Sequence, residues 1–85
     1  MSQTPPETRI REAVLGALGR IAPEADLTAI EPTLSFRDQL DIDSVDFLNF
    51  VIAVHEELGI DIPEADYGRL RSLESCVAYL SARLP

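Results

Sequence analysis

This chain of 85 residues has no lysine, one histidine and one cysteine. Each shortage removes a class of function. A lone cysteine, Cys76, leaves nothing for an internal disulfide to join. It falls in an apolar stripe, where a cysteine acts as a small core residue. Without lysine there is no Ser-Lys dyad. The one histidine, His55, stands eleven residues beyond Ser44 on what the pattern predicts to be a single helix. A rise of ~1.5 Å per residue puts the two about 16 Å apart. A nucleophile and its general base need direct hydrogen-bond contact. Ser44 also lacks the Gly-x-Ser-x-Gly elbow. The chain is therefore not expected to be an enzyme.

Long hydrophobic runs are missing too. No apolar stretch approaches the ~20 residues that span a bilayer. The opening Met1-Ser2-Gln3-Thr4-Pro5-Pro6 lacks the basic-then-apolar layout of a signal peptide. A cytoplasmic protein without membrane insertion is expected.

Positive charge is scarce and unevenly placed. Fifteen acids face seven arginines, for a net charge of −8. Asp38 to Asp66 holds nine acids and no arginine, while the remainder carries six acids and all seven arginines. The central block is thus −9 and the rest +1. A block of one sign repels nucleic acid and attracts basic protein patches.

Against these absences stands a clear helical pattern. Ile10, Val14, Ala17, Leu18 and Ile21 recur at helical spacing after Thr4-Pro5-Pro6-Glu7, which has the form of a capping box. A helix over Pro5–Ile21 follows, stopped by Pro23. Residues 22–43 read as a long connection. Ser35 can cap one helical turn there, and Leu34, Phe36 and Leu40 can plug the loop onto the core. A second helix is predicted over Ser44–Leu58, with Gly59 at its C-terminal cap. Its apolar arc of Phe47, Leu48, Phe50, Val51, Val54 and Leu58 is too wide for a simple surface helix, which predicts a central position. Val45 and Ile52 lie at the edge of that arc. Ile60 and Ile62 anchor a short link to a brief helix over Glu64–Leu70. Ser72 then caps a last helix with Leu73, Cys76, Val77, Leu80 and Leu84 in a stripe. Tyr67 and Tyr79 are expected to pack with their hydroxyls in water. The fold class is all-α: a small bundle of three main helices plus one short helix, in a single domain over 1–85.

Asp41, Asp43 and Asp46 suggest a calcium loop at first sight. Counted from Asp41, position 5 is Val45, position 6 Asp46 and position 12 Ile52. The loop needs an oxygen ligand, a glycine and a glutamate there. No metal site is expected.

Ser44 lies where a polar segment meets the second helix. Two uses fit it. It can cap the helix, or it can present its hydroxyl where the helix dipole stabilises an attached phosphate. Local physics leaves both open.

The pattern Ser35-Phe36-x-x-x-Leu40-x-x-Asp43-Ser44-Val45-Asp46, followed by an amphipathic helix and Ile62-Pro63, resembles the acyl carrier proteins. The likeness covers nearly the whole chain. It implies that Ser44 receives 4′-phosphopantetheine from coenzyme A through a separate phosphopantetheinyl transferase. Asp43 matches the acid before the family serine, and Val45 the apolar contact after it. Val45, Asp46, Ile52 and Glu56 would dock acyl-transferring or acyl-activating partners with basic patches. The chain begins with Met1 and ends soon after the last helix, so a free-standing protein is expected, and a small bundle of this charge is expected to be a monomer.

The chain departs from the fatty-acid-synthesis pattern at four places. Asp41 replaces a glycine, Asn49 and His55 replace acids, and Phe47 replaces a smaller residue that lines the acyl cavity. A reduced cavity, short or polar cargo and a specialised lipid or secondary-metabolite pathway are expected. The alternatives are an acidic helical adaptor that binds partners without the prosthetic group, and a peptidyl or aminoacyl carrier.

Overall fold

The computed structural model describes residues 5–84, and the expected Thr4 cap lies outside them. Four α-helices follow in order: α1 Pro6–Ile21, α2 Phe36–Gln39, α3 Ser44–Leu58 and α4 Leu73–Ser81. A 3₁₀ turn at Leu27–Ala29 and a 3₁₀ helix at Glu64–Leu70 complete the fold, and no strand occurs among the described residues. The all-α bundle expected from the sequence is what forms.

The expected stops and starts account for most boundaries. Pro5 occupies the N-cap of α1 and Pro6 its first turn, where a missing N–H costs nothing. Gly59 ends α3 at φ 67°, the left-handed conformation that glycine adopts without strain, and its N–H donates to His55 O at 2.8 Å. Ser72 opens α4 through a capping box with Ser75. Ser35 caps α2 by accepting from the Arg37 N–H at 3.2 Å. The turn at Leu27–Ala29 was not expected; Asp26 closes it, accepting from the Thr28 N–H at 3.1 Å and hydroxyl at 2.6 Å.

The hub of the bundle is α1, against which both α3 and α4 pack, and not α3 as its wide apolar arc suggests. The small buried residues Ala13 and Ala17 let neighbours approach α1 closely, and Ile10, Val14 and Leu18 are wholly buried. The arc of α3 divides instead. Phe50, Val51, Ala53, Val54 and Leu58 enter the core, while Val45, Leu48 and Ile52 remain on the surface.

Phe36 locks the long connection to the bundle. It is fully buried with its ring edge-on to Phe50 at 5.4 Å, and its N–H donates to Arg71 O at 2.7 Å. The Glu74 N–H, donating to Pro32 O at 2.9 Å, ties the same loop to α4. Leu34, expected as a plug, is 50% exposed. Its place in loop closure is taken by Gln39, whose amide accepts from the Glu31 N–H at 2.7 Å and donates to the Glu31 and Leu34 carbonyls. Leu40 packs half-buried on the core, as do Ile62 and Leu84, and Ile60 is buried.

Tyr79 has a partner that the sequence pattern did not reveal. Its hydroxyl donates to Asp66 Oδ2 at 2.6 Å, where Arg83 also binds at 3.2 Å. Burial, and then that donation, hold its pKa above the ordinary tyrosine range. Cys76 is fully buried, and burial alone pushes its thiol far above the usual range.

Candidate functional site

The start of α3 separates the two uses open to Ser44. The N-cap is Asp43, whose Oδ1 accepts from the Asp46 N–H at 2.9 Å. Asp46 reciprocates, its Oδ2 accepting from the Asp43 N–H at 3.1 Å. The capping role thus belongs to the two aspartates, and Ser44 is the first residue inside the helix. Its side chain is exposed and takes no part in the capping bonds. Ile42, buried two residues earlier, and Phe50, buried in the next turns, pin both sides of this corner. The hydroxyl therefore projects from a rigid helix end, close to the positive pole of the dipole.

Three exposed apolar side chains extend down α3 from Ser44. Val45 is 64% exposed, and Leu48 and Ile52 are 44% exposed each. Their spacing of three, four and seven residues puts them on one face. Glu56 is exposed one turn beyond Ile52. Asp46 is half-buried, since its carboxylate folds back into the cap.

Two surface clefts lie between α3 and the 3₁₀ helix, sharing Tyr67 as a wall. One, of about 340 Å³, is lined by Val51, Ile52, His55, Ile62, Pro63 and Tyr67. The other, of about 360 Å³, is lined by Arg37, Asp38, Phe47, Tyr67, Gly68 and Arg71. Phe47 leans on Phe50, with ring centres 5.9 Å apart.

Comparison with known proteins accounts for this arrangement. A family model described as the phosphopantetheine attachment site matches residues 8–80. This chain belongs to the acyl carrier protein family. An acyl carrier protein of Myxococcus xanthus is 29% identical over 73 residues, covering 82% of this chain and 92% of that one. One of Rhodococcus erythropolis is 33% identical, covering 82% and 80%. A protein of Mycolicibacterium smegmatis named a meromycolate extension acyl carrier protein is 33% identical, covering 82% and 74%.

The carrier is therefore not a catalyst, and 4′-phosphopantetheine is its covalent prosthetic group. Phosphopantetheinyl transferases and acyl-handling enzymes are its partners in general terms. No helix among the described residues is long and apolar enough to cross a membrane. The structure brings Asp43, Ser44, Val45 and Asp46 together at one helix end and sets Ile52 and Glu56 along the same helix. Leu48 was placed with the core by the sequence pattern but belongs with the surface stripe. Its spacing from Val45 and Ile52 was the available signal. His55 lies on the surface as expected, and its Nδ1 is also 2.7 Å from the Ile60 carbonyl. That contact ties the end of α3 to the following link. Among the described residues no group of three metal-ligating side chains gathers.

Proposed function

We propose that Ser44 is the attachment point of the 4′-phosphopantetheine, and that this carrier serves a specialised lipid or secondary-metabolite pathway. The observation that carries this reading is the division of labour at the start of α3. Asp43 and Asp46 satisfy the helix end, which leaves the neighbouring hydroxyl exposed and uncommitted. A serine retained only as a cap would hold the bond that Asp43 holds.

The residues present suit the group. A phosphate ester on Ser44 meets the free N–H groups and positive dipole end of α3. Ser44 Oγ would take the phosphopantetheinyl half of coenzyme A as the diphosphate bond breaks and 3′,5′-adenosine bisphosphate leaves. The transferase supplies the magnesium and the base that accepts the hydroxyl proton. The bound arm supplies a thiol that holds acyl groups as thioesters.

Partner docking falls to the stripe beside Ser44. Val45, Leu48 and Ile52 offer an apolar contact, and Asp46 and Glu56 flank it with negative charge. Basic patches rimming an apolar pocket on acyl-handling enzymes complement it. Asn49 and His55 stand where the family pattern has acids, which lowers the negative charge of this helix, so apolar contact carries more of the docking. The specialised pathway rests on these departures, on Asp41 and Phe47, and on similarity to a relative named for meromycolate extension.

Incubation with coenzyme A, magnesium and a broad-specificity transferase tests this reading through intact mass. One added phosphopantetheine, lost in Ser44→Ala, is expected. No gain with several transferases, while another carrier is modified alongside, would favour the adaptor alternative.

A further inference from the structure

We propose that the cleft below Ser44 receives the free end of a cargo bearing a carboxylate, so that this carrier is built for acyl groups with an anionic terminus. The inference rests on Ser44 as the attachment point, and it names the cargo class. Its basis is the presence of two arginines where the rest of the face is acidic. Arg37 and Arg71 both line the 360 Å³ cleft, with Asp38 the one acid among its lining residues. The cleft is thus net positive in a chain of net charge −8.

Among the described residues neither arginine side chain has a hydrogen-bond or ion-pair partner. The one arginine ion pair among the described residues is Arg83 with Asp66. Both arginines spring from fixed backbone. The Arg71 carbonyl accepts from Phe36, which is itself fully buried against Phe50. The Arg37 N–H donates to the Ser35 hydroxyl. Holding two long side chains at the rim therefore costs little further backbone entropy.

The cleft is within reach of the attachment point. Phe47, on its wall, is three residues along α3 from Ser44, a rise of about 4.5 Å. Gly68 leaves the opposite side low, with nothing within 4 Å of where a Cβ would stand. A carboxylate here lies beside two arginines, and a guanidinium fork matches carboxylate geometry. A plain alkyl end gains nothing from them, and Phe47, leaning on Phe50, fills space toward the core. A cationic aminoacyl group would be repelled.

The test compares two amide-linked cargoes of equal length on the holo protein, one ending in carboxylate and one in methyl. Loading is verified by intact mass. The unacylated holo form, which carries the phosphate alone, sets the baseline. The carboxylate cargo should move the amide signals of Phe47, Gly68 and Arg71 and the side-chain Nε signals of Arg37 and Arg71. The methyl cargo should leave them near baseline. Arg37→Gln with Arg71→Gln should abolish the difference. A parallel arm uses Ser44→Cys alkylated with tethers of pantetheine length ending in the same two groups. Cys76 is fully buried, so the introduced thiol is the one that reacts. If transferase loading fails yet the carboxylate tether docks, the attachment reading falls and the cleft inference stands. Equal shifts from carboxylate and methyl ends, in whichever formats load, overturn it.

Discussion

Replacing Asp43 and Ser44 separately by alanine distinguishes a helix cap from an attachment point. Asp43 Oδ1 accepts from the Asp46 N–H at 2.9 Å. Losing a side-chain N-cap costs about 0.5–2 kcal/mol. Asp43 is exposed, so water replaces part of the lost bond. The partner carboxylate of Asp46 also loses a like-charged neighbour, which offsets a little more. A net cost of about 1 kcal/mol follows for Asp43→Ala, in the middle of the range for caps. For a domain of this size, that is a fall of roughly 4–8 °C in melting temperature. Ser44→Ala removes no capping bond and places a strong helix former in the first turn. It should stay within about 0.5 kcal/mol of the parent. Urea titration followed by circular dichroism at unchanged slope measures both. Equal destabilisation by the two substitutions would refute the assignment of the cap to Asp43 and return Ser44 to a structural role.

Leu80→Ala empties a fully buried position in α4 and should cost about 2–5 kcal/mol, read as a lower denaturant midpoint. Tyr79→Phe removes the 2.6 Å donation to Asp66 and should cost about 1 kcal/mol near neutral pH. The same tyrosine has a pKa raised in the folded state, so the unfolded chain loses this proton first. Its stabilising contribution is whole below the ordinary tyrosine pKa of 10.0 and is lost as pH climbs through the raised value. Tyr79→Phe should flatten that alkaline loss in pH-dependent melting curves. Cys76 should resist a water-soluble disulfide reagent until denaturant is added; rapid native labelling would contradict its burial. Glu56→Arg should weaken transfer by a cognate enzyme while leaving the melting temperature within a degree or two. Asp46→Arg is a less clean test, because it also breaks the capping box.

The helices were legible because their signals are local. Pro5-Pro6, Ser35, Ser72 and Gly59 mark starts and stops through their own backbone chemistry, and the 3.6-residue pattern fills the spans between. Which helix the others gather around was not legible. That depends on how closely backbones approach, and the buried Ala13 and Ala17 settle it in favour of α1. A wide apolar arc on α3 carried two meanings that a pattern cannot separate, core and exposed stripe. Leu48 changed sides for that reason. At the site, Asp43, Ser44 and Val45 were placed by resemblance to the family. The sequence left Ser44 open between a helix cap and an attachment point, and only the paired hydrogen bonds of Asp43 and Asp46 show which residues hold the helix end. The cleft with Arg37 and Arg71 was invisible because its walls come from segments more than thirty residues apart.

The central claim is that Ser44 bears the prosthetic group, and a single peptide tests it. Trypsin cleavage after Arg37 and Arg69 releases residues 38–69, in which Ser44 is the only serine and no threonine occurs. Tandem mass spectrometry of the protein isolated after co-expression with a transferase should find one phosphopantetheine on that peptide, with the fragment break at Ser44. The arm on another peptide, such as one holding Ser35 or Ser72, would contradict the account.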